Sequence, residues 1–178
     1  MHRLVLVTLL ACAMSTPAAA AEDPAPSSLS THDPTCPEGY TGPSVLVRVT
    51  GFKDRSGQLR VEIYPDAPGD FLSPGRALRA AGKVFLRIDI PTPQQGDGEV
   101  CVPLPHAGGY AGAVLHDRNG DGKLNPFSDG YGFPNNPRLG YSKPEASEAA
   151  FAVADGRTVV DVVLNYWTGL SARPLRQK

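Results

Sequence analysis

The chain has no basic surplus. Its 17 lysines and arginines face 18 aspartates and glutamates, a net charge of −1, so little is available to neutralise a phosphate backbone and nucleic acid is not an expected partner. Motifs of common chemistry are missing as well: there is no P-loop, no Gly-x-Ser-x-Gly elbow and no His-Glu-x-x-His pair. No apolar run approaches the roughly 20 residues that a membrane-spanning helix needs. Long helices are also disfavoured, because glycine (19) and proline (18) make up about a fifth of the 178 residues and each costs about 1–3 kcal/mol inside a helix. Strands and turns are what remains.

The first 21 residues read as a targeting segment. Arg3 supplies a positive start, Leu4 to Ala11 a brief apolar run, and Ala18 to Ala21 the small residues of a cleavage site, the pattern of a secretory signal peptide. Cleavage after Ala20 or Ala21 fits equally; the alternative is a lipoprotein anchored at Cys12. The expectation is a periplasmic or secreted protein. Removing the segment takes away Arg3 and moves the net charge from −1 to −2. It also leaves an even pair of cysteines, Cys36 and Cys101. In an exported chain such a pair argues for one disulfide, the alternative being two buried thiols. The bond would close a loop of about 65 residues, for which the chain-entropy model gives about 4 kcal/mol.

The mature chain divides into a Pro- and Ser-rich leader (22–40), a domain (41–168) and a charged tail (169–178). Seven short runs in the domain alternate apolar and polar residues or are rich in β-branched ones: 44–50, 58–64, 83–90, 99–104, 109–116, 149–153 and 157–166. Period-two alternation marks half-buried strands. In the third run Phe85 falls on the polar side, opposite Val84, Leu86 and Ile88. A Pro- and Gly-rich crossover separates the second and third runs, with a helical turn expected over 76–81. About seven strands of this kind predict an all-β, two-sheet sandwich of immunoglobulin-like or transthyretin-like type. The usual Cys–Trp–Cys spacing is absent, and Trp167 lies near the C-terminus.

One loop carries metal-type spacing. With Asp117 as position 1, Asn119, Asp121, Lys123 (through its carbonyl) and Asn125 occupy the oxygen-ligand positions of an EF-hand loop, and Gly122 stands at the sharp turn. Position 12 is Ser128 instead of a bidentate glutamate, with Asp129 next to it as the remaining carboxylate. Two readings stay open. The loop could hold calcium at an affinity on the order of 0.1–1 mM, or it could be folded without metal by Asp and Asn side chains that bond their own backbone.

Beyond the loop, Phe127, Tyr131 and Phe133 stand among glycines and prolines. They could stack on a sugar or peptide, or fold back and cap the sandwich. His116 stands beside Asp117 at a strand end. The primary expectation is a non-enzymatic envelope module, structural or binding an unidentified ligand or protein; the alternative is an envelope hydrolase acting on sugar or peptide through His116 and Asp117. An enzyme would place His116 in an open cleft with a second ionisable group. The Tyr-Arg-Gly-Ser signature of transthyretin-like hydrolases is absent, Tyr166-Trp-Thr-Gly169 standing at the C-terminal end.

Several stretches together resemble the bacterial exported family called domain of unknown function 2141. They are Leu46 to Phe52, Gly57 to Val61, Gly109-Tyr-Ala111, His116 to Asn125, Gly130 to Asn136 and Val162 to Tyr166. The resemblance covers roughly 44–167. It implies a secreted β-sandwich with no assigned activity. Two departures fall on the last ligand position of the loop: the Gly-x-Pro-x-Glu run expected before Gly130 is shortened to Asp129, and Pro134 replaces a common serine. The Cys36 and Cys101 pair looks like a subgroup feature.

Overall fold

A computed structural model describes residues 36–175. The expected signal segment, Cys12, His32 and most of the leader lie outside the described residues. Among these residues ten strands form, in two sheets. Sheet A holds three, in the order β4 (Gly98–Pro103), β1 (Ser44–Thr50), β8 (Arg157–Val163). Sheet B holds seven. Its main path is β10 (Ser171–Pro174), β9 (Asn165–Thr168), β6 (Gly130–Gly132), β5 (Gly108–Asp117), β2 (Gln58–Pro65) and β3 (Leu86–Pro91), and β7 (Ala150–Val153) pairs with β5 beside this path. The all-β, two-sheet architecture expected from the alternation is the one the chain adopts.

The alternation explains the core. On β1, Val45, Val47 and Val49 are buried and Arg48 is exposed, and on β2, Leu59, Val61 and Ile63 are buried. These residues meet Val100, Val102 and Val162 between the sheets. Each side chain fully buried in this way contributes roughly 1.5–3 kcal/mol. Sheet A is held by β1 alone at its centre, antiparallel to β4 and parallel to β8.

Sheet B also buries much of its outer face. Outward-facing Tyr64, Ala111 and Ala113 form a second apolar cluster with Leu78, Phe85 and Phe133. The crossover covers part of this face. Its helix α1 (Gly75–Ala80) supplies Leu78, close to the helical turn expected there.

Four expectations are corrected. The run 157–166 is not one strand: Leu164 gives its N–H to Thr50 of sheet A, and Asn165 then begins β9 of sheet B. The Asn165 amide pins the change of sheet through Asn136 and the Val163 carbonyl. The third run begins as a strand only at Leu86, and Phe85 is buried against the crossover with Arg79 and Arg87 over its ring. The tail contributes strand β10, with Ala172 buried. Gly130-Tyr-Gly132, outside the seven expected runs, is strand β6; a Cβ on Gly130 would lie 2.4 Å from the Tyr166 ring, so the missing side chain lets that ring pack. No helix among the described residues is long and apolar enough to cross a membrane.

Candidate functional site

The predicted site residues separate into a closed polar corner and an open apolar groove. The corner begins at His116, on β5 and facing sheet A. Its side chain is fully buried. Nε2 lies 2.9 Å from the Ser56 carbonyl, which can only accept, so Nε2 carries the proton. Nδ1 then accepts from the Tyr166 hydroxyl at 2.6 Å, and that oxygen accepts the Lys53 N–H at 3.0 Å. Burial pushes the His116 pKa below its ordinary value and the Tyr166 pKa up to about 12. Both ring nitrogens are engaged, so the imidazole has no free position from which to take a substrate proton.

Asp117, its neighbour, is equally occupied. Oδ1 accepts the Gly120 N–H at 2.9 Å, and Oδ2 accepts the Gly122 N–H at 2.8 Å and the Gln58 amide at 2.9 Å. Burial pushes this carboxyl up, but the hydrogen bonds outweigh it and leave the pKa lowered. The rest of the loop follows suit. Asn119 accepts the Asp121 N–H, Asp121 the Lys123 N–H, and Asn125 the Phe127 N–H. Asp129, buried, accepts the N–H groups of Arg118 and Asn125. The side-chain oxygens that a cation would need therefore fold the loop themselves, as Asx turns do. Ser128, at the position of the bidentate ligand, donates to Asp129. Among the described residues no three His, Cys, Asp or Glu side chains gather into a metal-holding group.

Arg118 ties this loop to the β1–β2 turn. Its guanidinium pairs with Asp54 and donates to the Ser128 carbonyl, and the pairing with Arg118 lowers the Asp54 pKa to about 2. Gly57 closes the same corner: its φ is +71°, and a Cβ there would lie 2.0 Å from the Asp117 carbonyl oxygen.

The three loop aromatics go different ways. Phe133 is buried, Tyr131 half-buried and Phe127 75% exposed. All three nevertheless line one groove of about 480 Å³ on the outer face of sheet B. The floor crosses four adjacent strands: Trp167 of β9, Tyr131 of β6, Ala113 and Leu115 of β5, and Glu62 of β2. One wall is the 124–127 stretch that ends the polar loop, and the other is 139–144. At the rim Phe127 and Tyr141 meet Trp167 edge-on, with centroids 5.8 and 5.3 Å away. The reading from sequence missed Trp167, Tyr141, Leu139 and Ala113. Trp167 had a signal, standing two residues from Asn165 on the outward side of a β-rich run.

Cys36 and Cys101 are bonded, with their Cα atoms 5.2 Å apart, which fixes the start of the described chain to β4. His106 lies apart from both features, stacked on Tyr110.

No curated protein and no solved structure is matched by the chain. A family described as "Uncharacterized protein conserved in bacteria (DUF2141)" matches residues 47–161, a span that takes in part of β1, all of β2 to β7 and most of β8, together with the polar corner apart from Tyr166 and three of the four strands of the groove floor. The chain belongs to this family.

Proposed function

We propose that the chain is an exported, non-enzymatic binding module whose ligand site is the aromatic groove on sheet B. The observation that carries this reading is the groove itself: an open, carbon-lined trough of about 480 Å³ with Phe127 and Tyr141 at its rim, edge-on to Trp167 of the floor. Pockets of this size and lining are the usual form of small-molecule sites, and contiguous exposed apolar surface marks interaction. Two further facts support it. The His116 ring is enclosed and both its nitrogens are occupied, which favours a module over a hydrolase acting through His116 and Asp117. The Cys36–Cys101 bond suits an oxidising compartment, in keeping with the signal-like N-terminus.

The test is retention of a small molecule. The purified protein and its Ala113→Phe variant, which fills the floor, are incubated with solvent and aqueous extracts of bacterial envelopes, repurified and examined by mass spectrometry. Phe127→Ala, at an exposed position, serves as the second variant if the first does not fold. The expected result is at least one compound held by the wild type and lost by the variants. Equal retention, or none, overturns the reading.

A further inference from the structure

We propose that the ligand of this groove is a linear acyl chain with an anionic head, the chain lying across the strands of the floor and the head at Lys143. The inference rests on the groove being the ligand site. Three observations select the ligand class. The first is the floor. It spans four strands, roughly 14 Å at the usual strand spacing, and carries Ala113, Leu115, Tyr131 and Trp167. Ala113, whose small side chain keeps this floor low, lies directly opposite Glu62 in the β2–β5 register.

The second observation is that Glu62, the charged group of the floor, is already satisfied by protein partners. Glu62 Oε1 accepts from Arg87 at 2.7 Å, and Glu62 Oε2 accepts the Tyr64 hydroxyl at 2.5 Å. A sugar would bring a hydroxyl at nearly every carbon and strip water from it against aliphatic side chains, at a cost that only fixed hydrogen-bond partners can offset. A hydrocarbon chain asks for none and gains from each methylene buried.

The third is charge. The groove lining has two charged side chains, Glu62 and Lys143. Glu62 is paired with Arg87. Lys143, exposed on the 139–144 wall, makes no ion pair among the described residues. The unmatched charge at the site is therefore positive, and complementarity calls for an anion at that end.

Trp167 makes the test local. It is the chain's single tryptophan and lines the groove, so its emission reports on this site alone. The protein is titrated with octanoate, decanoate and dodecanoate below their micellar concentrations, with dodecyltrimethylammonium and dodecyl maltoside as head-group controls, and with a chito-oligosaccharide. The expected result is a saturable change with the carboxylates, affinity rising about fourfold per added methylene. Lys143→Glu, at an exposed position, weakens dodecanoate by about fivefold or more and strengthens the ammonium probe. Equal affinity for dodecanoate and dodecyltrimethylammonium, or no dependence on chain length, overturns the proposal. Emission that responds to the oligosaccharide alone also overturns it, while leaving the groove as a ligand site. If no probe moves Trp167 and the wild type retains nothing from envelope extracts, both readings fall together.

Discussion

The Tyr166 hydroxyl and His116 Nδ1, 50 positions apart in sequence, meet at 2.6 Å inside the protein. The same oxygen accepts the Lys53 N–H, so one phenol organises a buried ring and the β1–β2 turn at once. Tyr166→Phe leaves Nδ1 and that N–H without their partner. Stability should fall by about 1–3 kcal/mol, read as a lower urea midpoint with an unchanged slope. An unchanged midpoint would show that the hydroxyl organises nothing.

Acid should weaken the fold in two stages. Burial lowers the His116 pKa, so the unfolded chain takes up a proton there first. The contribution is complete above about pH 6.5 and is lost as pH falls below it through the folded value. The Asp54 pKa, lowered to about 2 by Arg118, adds a second loss only between about pH 4 and 2. The melting temperature should be level above neutrality and decline from about pH 6.5 downward. His116→Gln should remove the first stage. A wild-type melting temperature that stays level down to about pH 5 would sink the assignment.

Calcium should leave the protein unchanged. The carboxylates of Asp117 and Asp129 already accept backbone N–H groups, and the loop closes on itself. Calorimetry with calcium at several millimolar, about the weakest range of extracellular sites, is expected to give no heat and no rise in melting temperature. Either response would show that the loop reorganises around the ion.

Reducing the Cys36–Cys101 bond should cost about 2–5 kcal/mol while preserving the strand pairing, because the bond joins an N-terminal segment to β4 and no β1 hydrogen bond depends on it. Denaturation with and without reductant, alongside far-ultraviolet circular dichroism, measures both halves of the expectation. Equal midpoints would show that the cross-link contributes nothing to stability.

Strands with one face in the core were legible in the sequence. Val45, Val47 and Val49, or Leu59, Val61 and Ile63, declare their period without help. The short strands were not. Gly130 and Gly132 give β6 no side-chain pattern, and their absence of bulk has meaning only beside Tyr166 and Val163. The change of sheet at Leu164 hid inside an unbroken β-branched run, since both of its halves are strand. The polar loop was found by its spacing, but spacing alone does not say whether Asp117 turns to a cation or to its own backbone. The groove was least visible, because Ala113, Phe127, Tyr141 and Trp167 come from four separate stretches and only the pairing of β9, β6, β5 and β2 assembles them.

The parallel pairing of β1 with β8 joins residues 113 positions apart, as in the two-fold hydrogen-bonded contact of Arg48 with Asp161. Sheet A cannot be completed until residues 157–163 reach β1. Folding that waits on so distant a partner is slow, because the entropy of closing the loop comes before the reward. Until β8 is in place β1 carries only half of its pairing, so the central strand of sheet A shows an open edge for as long as that closure takes.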